Sequence, residues 1–166
     1  MIGIIDIGLG NTESVYKLLR KFEYEYQIVQ APNQLADVKK LIFPGVGTFH
    51  ESSNRLSEKN LRSEILQFIE NDGHYLGICL GMQLLARTGY EVEKSNGIGV
   101  IDADVIRLSP LEGKPLPHIG WNTVQHEGQG LFSGIEQGSD FYFVHSYHMK
   151  LIILTTATTA VNLPPT

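Results

Sequence analysis

The chain has 166 residues and a net charge of −5, a size that fits one ordinary hydrophobic core. Apolar residues make up 42% and charged ones 19%, which excludes an intrinsically disordered polypeptide. Lys and Arg form no block, and no apolar run approaches the roughly 20 residues of a membrane span, so neither nucleic acid nor membrane is an expected partner.

One cysteine, Cys79, cannot close an internal disulfide, so a secreted disulfide framework is not expected. The opening MIGIIDIGLG lacks a basic leader and is interrupted by Asp6, which fits a core strand better than a signal peptide. The expected location is the cytoplasm.

In chain order, IGIIDI at 2–7 is a β-rich run followed by the glycine turn GLGN. Val15, Leu18, Leu19 and Phe22 then fall at i, i+3, i+4 and i+7, predicting a helix with those four on its apolar face and Asn11 or Thr12 as its cap. YQIVQA at 26–31, closed by Pro32, is a second strand, and KLIFPG at 40–45 a third. The stretch after PGVGTF, which holds His50, gives no assignable period. Leu61, Ile65, Phe68 and Ile69 predict another helix, stopped near Gly73. HYLGIC at 74–79 is a fourth strand, and LGMQLLAR opens a further helix.

Strands alternating with helices predict an α/β fold with a mostly parallel central sheet and flanking helices. Buried parallel strands are continuously apolar, as IGIIDI and KLIFPG nearly are. Function in such folds gathers at the carboxyl ends of the strands, where three glycine turns fall: GLG at 8–10, PGVG at 44–47 and CLG at 79–81. The second half, with GIGVIDADVIRLS, LPHIGWNTVQ and DFYFVHSYH divided by Gly and Pro, predicts a more antiparallel region packed on the first without a separate domain boundary.

The chemistry concentrates at Cys79. Gly77-Ile78-Cys79-Leu80-Gly81 has the G-x-nucleophile-x-G spacing of a nucleophile elbow, a strained turn between strand and helix whose small flanks let the two elements approach. A helix N-terminus there favours the thiolate. The Leu80 N–H, just past the nucleophile, is placed to donate into an oxyanion hole. A lone cysteine is more often a small core hydrophobe, but the glycine frame between strand and helix reverses that expectation. PGVG adds a turn whose backbone N–H groups can point into a cleft, although by itself it is equally a simple turn. Gln83, one turn past Cys79, offers an amide for a polar substrate or is merely a solvated helix residue.

Five stretches taken together carry a resemblance: IDIGLGN at 5–11, FPGVGTF at 43–49, LGICLGMQLL at 76–85, LPHIGWN at 116–122 and FYFVHSYH at 141–148. In this order and spacing they resemble the class I (triad) glutamine amidotransferases over residues 1 to about 150. The resemblance implies a flavodoxin-like core and a glutaminase chemistry with no cofactor. The Cys79 thiolate attacks the side-chain amide of glutamine, ammonia leaves, and water releases glutamate from the thioester. By position it assigns the backbone of Gly45, Val46 and Gly47 to the oxyanion strand, and Gln83, His145, Ser146 and Tyr147 to the glutamine pocket. It further implies a protein partner, a (β/α)₈ barrel synthase subunit that takes the ammonia onto a phosphorylated ribonucleotide in histidine biosynthesis. LPHIGWN is then part of the surface facing that synthase, although Trp121 fits a core aromatic as well.

The same resemblance calls for a histidine base in a His-Pro-Glu segment. None of His50, His74, His118, His126, His145 and His148 is followed by Pro-Glu. After His148 the chain runs MKLIILTTATTAVNLPPT, without acid or histidine. LIILTTATTAV is rich in β-branched residues and fits a strand, and NLPPT fits a frayed end. The expectation is an incomplete amidotransferase domain at 1–150 and an atypical tail at 151–166, introduced by a frameshift or a cut near Lys150. Missing strands would leave sheet edges for a partner or a second copy to cover. His145, His148 or His50 could serve as base only within about 3 Å of the sulfur, so impaired turnover is expected. Two further readings stay open: amidination of surface-polysaccharide sugars with another synthase, and a non-catalytic module that only docks a synthase.

Overall fold

The computed structural model describes residues 1–109 and 115–152. The expected strand and frayed end of the tail lie outside the described residues from 153 onward. The chain divides into two compact units, one of Met1–Ile106 with Met149–Ile152 and another built on Arg107–His148.

The first unit opens with β1 (Ile2–Ile5), α1 (Thr12–Lys21), β2 (Tyr26–Val29) and β3 (Lys40–Gly45). It continues through α2 (Phe49–Glu58), α3 (Arg62–Glu70), β4 (His74–Cys79), the single turn α4 (Leu80–Gln83), β5 (Ala86–Gly89), β6 (Ser95–Asn96) and β7 (Ile101–Arg107). Four strands form a parallel sheet in the order β2-β1-β3-β4. Ile4, Ile5, Leu41 and Phe43 in its two central strands are sealed from solvent, as burial on both faces requires. The sheet points the carboxyl ends of all four strands the same way, and those of β3 and β4 meet side by side, with Gly45 opposite Cys79. The predicted α/β architecture with a parallel central sheet is therefore observed.

Three local expectations need correction. The first concerns α1, where Leu19 is buried but Leu18 is 54% and Phe22 60% exposed. Tyr16 stacks on Tyr26 of β2 at 5.8 Å, and this turns the inward stripe to Thr12, Val15, Tyr16 and Leu19. Phe22 falls outside the helix, as its C-cap. Asn11 is the N-cap, its side chain accepting from the Ser14 N–H.

The second is α2, which occupies the segment left unassigned. Its buried face is Phe49, Ser52, Ser53 and Leu56, a regular i, i+3, i+4, i+7 stripe in which two serines stand where apolar residues signal a helix. Burial of Ser53 is compensated by its hydroxyl donating to the Asn96 carbonyl at 2.7 Å and by Arg62 donating to Ser53 Oγ at 2.7 Å. Thr48 caps the helix through the Glu51 N–H at 3.2 Å.

The third is the helix expected over LGMQLLAR, which ends after one turn. Beyond it the backbone is drawn into a second sheet. The Leu84 carbonyl accepts from the Ile98 N–H at 2.7 Å, the Leu85 carbonyl from Ile101 at 2.9 Å, and the Arg87 carbonyl from Gly97 at 2.9 Å. β5 lies parallel to β7 and antiparallel to β6. Sheet pairing outweighs the modest helix propensity of Leu-Leu-Ala-Arg.

In the Arg107–His148 unit, β8 (His118–Thr123) and β9 (Asp140–His145) form an antiparallel ribbon in the register Ile119↔Val144 and Trp121↔Tyr142. Finally β10 (Tyr147–Leu151), whose residues from Met149 count with the first unit, is the hydrogen-bonded neighbour of β7 in the order β10-β7-β5-β6. Among the described residues no helix is long and apolar enough to cross a membrane.

Candidate active site

The site is built from a strand that stops and a helix that starts without an intervening loop. β4 ends at Cys79 and α4 begins at Leu80. Cys79 has φ +54° and ψ −111°, a region non-glycine residues occupy at a cost of about 1–3 kcal/mol and mostly where surrounding structure enforces it. The enforcement is visible in the flanking glycines. A Cβ on Gly77 would lie 2.5 Å from the Met82 Cα, and one on Gly81 would lie 1.8 Å from the Phe43 carbonyl oxygen. Only glycine at both positions lets α4 fold back over β4 and wedge against β3. The thiol that results is exposed, not a core hydrophobe. α4 has a single turn, so the helix N-terminus expected beside Cys79 is no more than the N–H groups of that turn.

Facing the elbow is the end of β3. Gly45 pairs in register with Cys79. A side chain on Gly45 would stand 3.0 Å from the Gly81 nitrogen and from the Leu80 Cβ, so the two turns are in close backbone approach. Val46 is 55% exposed and Gly47 takes φ +117°, which turns the backbone out of the strand. Behind them Gly10, at φ +107°, brings the first glycine turn so near that a Cβ there would sit 3.2 Å from the Val46 nitrogen. The three glycine turns at the strand ends thus converge. Leu80 and Gln83 are both buried on α4, so Gln83 is not a solvated helix residue.

Of the residues singled out from the sequence, Cys79, Gly45, Val46, Gly47, Leu80 and Gln83 belong to the first unit and come together there. His145, Ser146 and Tyr147 belong to the other unit up to His148. There His145 Nε2 is 3.1 Å from His118 Nδ1 and its Nδ1 donates to the Tyr147 carbonyl at 2.9 Å. The Ser146 carbonyl accepts from the Leu108 N–H at 2.8 Å. One residue escaped the sequence reading. Glu91 lies in a loop without periodicity, yet its carboxylate accepts the Phe49 N–H at 2.7 Å and fastens α2 directly after the PGVGT turn.

His50 does not offer a free base. Its Nδ1 is 2.8 Å from Ser95 Oγ, and its Nε2 is 3.0 Å from Glu93 and 2.9 Å from the Asn54 amide. His74 opens β4, five strand residues before Cys79, on the order of 16 Å away. Among the described residues no group of three or more His, Cys, Asp or Glu is arranged to hold a metal ion.

This is an α/β fold that displays an exposed thiol on a strand-to-helix turn. The family model of the class-I glutamine amidotransferases matches residues 3–162, and the chain belongs to that family. It is 41% identical over 150 residues to the imidazole glycerol phosphate synthase subunit HisH of Desulfitobacterium hafniense, covering 90% of this chain and 70% of that protein. The HisH 1 subunit of Methanococcus maripaludis is 40% identical over 154 residues, covering 90% and 75%. A crystal structure of a glutamine amidotransferase superposes with a TM-score of 0.68 at 20% identity, covering 93% of this chain and 75% of that one, a likeness of fold.

Proposed function

We propose that the chain is the glutaminase subunit of an imidazole glycerol phosphate synthase. It would hydrolyse glutamine to glutamate in the cytoplasm and supply ammonia to a (β/α)₈ cyclase subunit of histidine biosynthesis. The observation that carries this reading is the exposed Cys79 at φ +54°, in register with Gly45, in a chain about 40% identical to HisH subunits. The thiolate forms a bond to the amide carbon of glutamine. Negative charge develops on the carbonyl oxygen, where N–H groups of the Gly45–Gly47 turn and of Leu80 are the donors at hand. The C–N bond breaks as the leaving nitrogen takes up, through solvent, the proton that the thiol gave up, ammonia departs, and water cleaves the thioester to glutamate and the free thiol. Gln83, His145, Ser146 and Tyr147 are proposed to recognise the rest of glutamine.

The protein partner is supported by one face of the β8–β9 ribbon. Ile119, Trp121, Tyr142 and Val144 are each more than half exposed and adjacent by register, with Trp121 and Tyr142 edge to face at 5.6 Å. An exposed apolar cluster containing Trp and Tyr is the composition of a protein-binding hot spot.

A second reading is a subunit that docks a synthase without turning glutamine over, through the exposed ribbon face of Ile119, Trp121, Tyr142 and Val144. A glutaminase assay with and without a cyclase subunit separates the two. The enzyme reading predicts glutamate release that the cyclase accelerates and Cys79→Ala abolishes. Tight complex formation with no release above the Cys79→Ala background would establish the docking reading instead.

A further inference from the structure

Along β4 the side chains of Tyr75, Gly77 and Cys79 share one face, because strand residues alternate. The nucleophile stands at the end of that row. The gap at Gly77 is filled by the backbone of α4, since a Cβ there would meet Met82 at 2.5 Å. Tyr75, next in the row, reaches past the gap, and its hydroxyl donates to the Gly81 carbonyl at 2.7 Å. That carbonyl has lost its helical donor. In a continuing helix the Leu85 N–H would bond to it, but Leu85 bonds to the Met82 carbonyl at 3.1 Å as the chain leaves for β5. Without Tyr75 the carbonyl would face the packed underside of the elbow with an unmet hydrogen bond. Burial pushes the Tyr75 phenol above its ordinary range, so it remains a donor throughout the working range of pH.

We infer that Tyr75 is a positioning residue for the acyl-transfer step, a clamp that fixes the one-turn helix, and with it the Leu80 N–H, relative to the Cys79 sulfur. The inference rests on Cys79 being the acyl acceptor of the proposed reaction. A one-turn helix has almost no internal hydrogen bonding to define its orientation; the Gly81 seat against Phe43 and the Tyr75 hydroxyl supply it from outside. Tyr75 itself touches no reacting atom, so its removal affects reactions that need sulfur and N–H donors together, and spares those that need sulfur alone.

The test compares two reagents on the full chain, with Tyr75→Phe beside the unaltered protein and Cys79→Ala as background. p-Nitrophenyl acetate acylates the thiolate: an S–C bond forms, the C–O bond to p-nitrophenolate breaks, and charge develops on the carbonyl oxygen. A small aromatic disulfide exchanges with the same thiolate without any oxyanion. Peptide mass spectrometry follows both at Cys79. The expected result is a loss of roughly tenfold in acylation for Tyr75→Phe, with disulfide exchange within about twofold. Equal rates for both proteins, or a parallel fall in both reactions, would overturn the inference. If Tyr75→Phe shows the selective loss but the unaltered chain with its cyclase releases no glutamate, the clamp stands and the glutaminase reading falls. A Cys79 that is not acylated at all overturns both.

Discussion

Cys79 is held at φ +54° by what its neighbours lack. The absence of side chains at Gly77 and Gly81 lets α4 lie on β4 and β3, and the contact is with backbone, which cannot swing aside. Gly81→Ala places a methyl 1.8 Å from the Phe43 carbonyl oxygen. It is predicted to lower stability by about 1–3 kcal/mol and to slow modification of Cys79; urea unfolding and thiol alkylation measure the two. Tyr75 carries a proton-linked prediction. Its phenol is raised by burial from the ordinary value of 10.0, so above that pH the unfolded chain loses the proton and the folded one keeps it. Stability from this group is therefore intact below pH 10 and declines above it, and Tyr75→Phe is predicted to flatten the alkaline limb of a stability–pH curve. The glycine frame of the elbow was legible in the sequence because its spacing reports a steric need. The Tyr75 bond was not, because it depends on where the helix stops.

At the scale of elements, the legible ones carried their apolar residues at a regular period. β3 and β4 fall on the predicted KLIFPG and HYLGIC. α2 was invisible because Ser52 and Ser53 occupy its buried stripe, and Ser53 is satisfied by Asn96 and Arg62 through contacts remote in sequence. The helix after Cys79 was overestimated because the hydrogen bonds from Ile98 and Ile101 that end it come from a segment whose position no local pattern reveals. α2 follows the Gly45–Gly47 turn and is anchored at its start by Thr48 and Glu91. Thr48→Ala is predicted to cost about 1 kcal/mol, read as a lower urea midpoint with an unchanged slope.

For the whole molecule, the strand-to-helix turn at Cys79 lies in one unit and an apolar ribbon face in the other. Trp121, which the sequence left between core and interface, is 70% exposed. Trp121→Ala is predicted to leave thermal unfolding unchanged and to weaken binding of a cyclase subunit by about 2 kcal/mol, close to thirtyfold, measured by titration calorimetry. The tight turn at Cys79 and the glycine turn facing it were readable from short motifs. The base that the resemblance implies was not, and in the structure each ring nitrogen of His50 already has a partner. The central claim is that Cys79 is presented to the amide of glutamine. Its most direct measurement is labelling by a chloroketone analogue of L-glutamine, mapped by peptide mass spectrometry. A single adduct at Cys79, slowed by added L-glutamine and not by D-glutamine, is the predicted result; labelling at other residues, or labelling of Cys79 that L-glutamine does not slow, would contradict it.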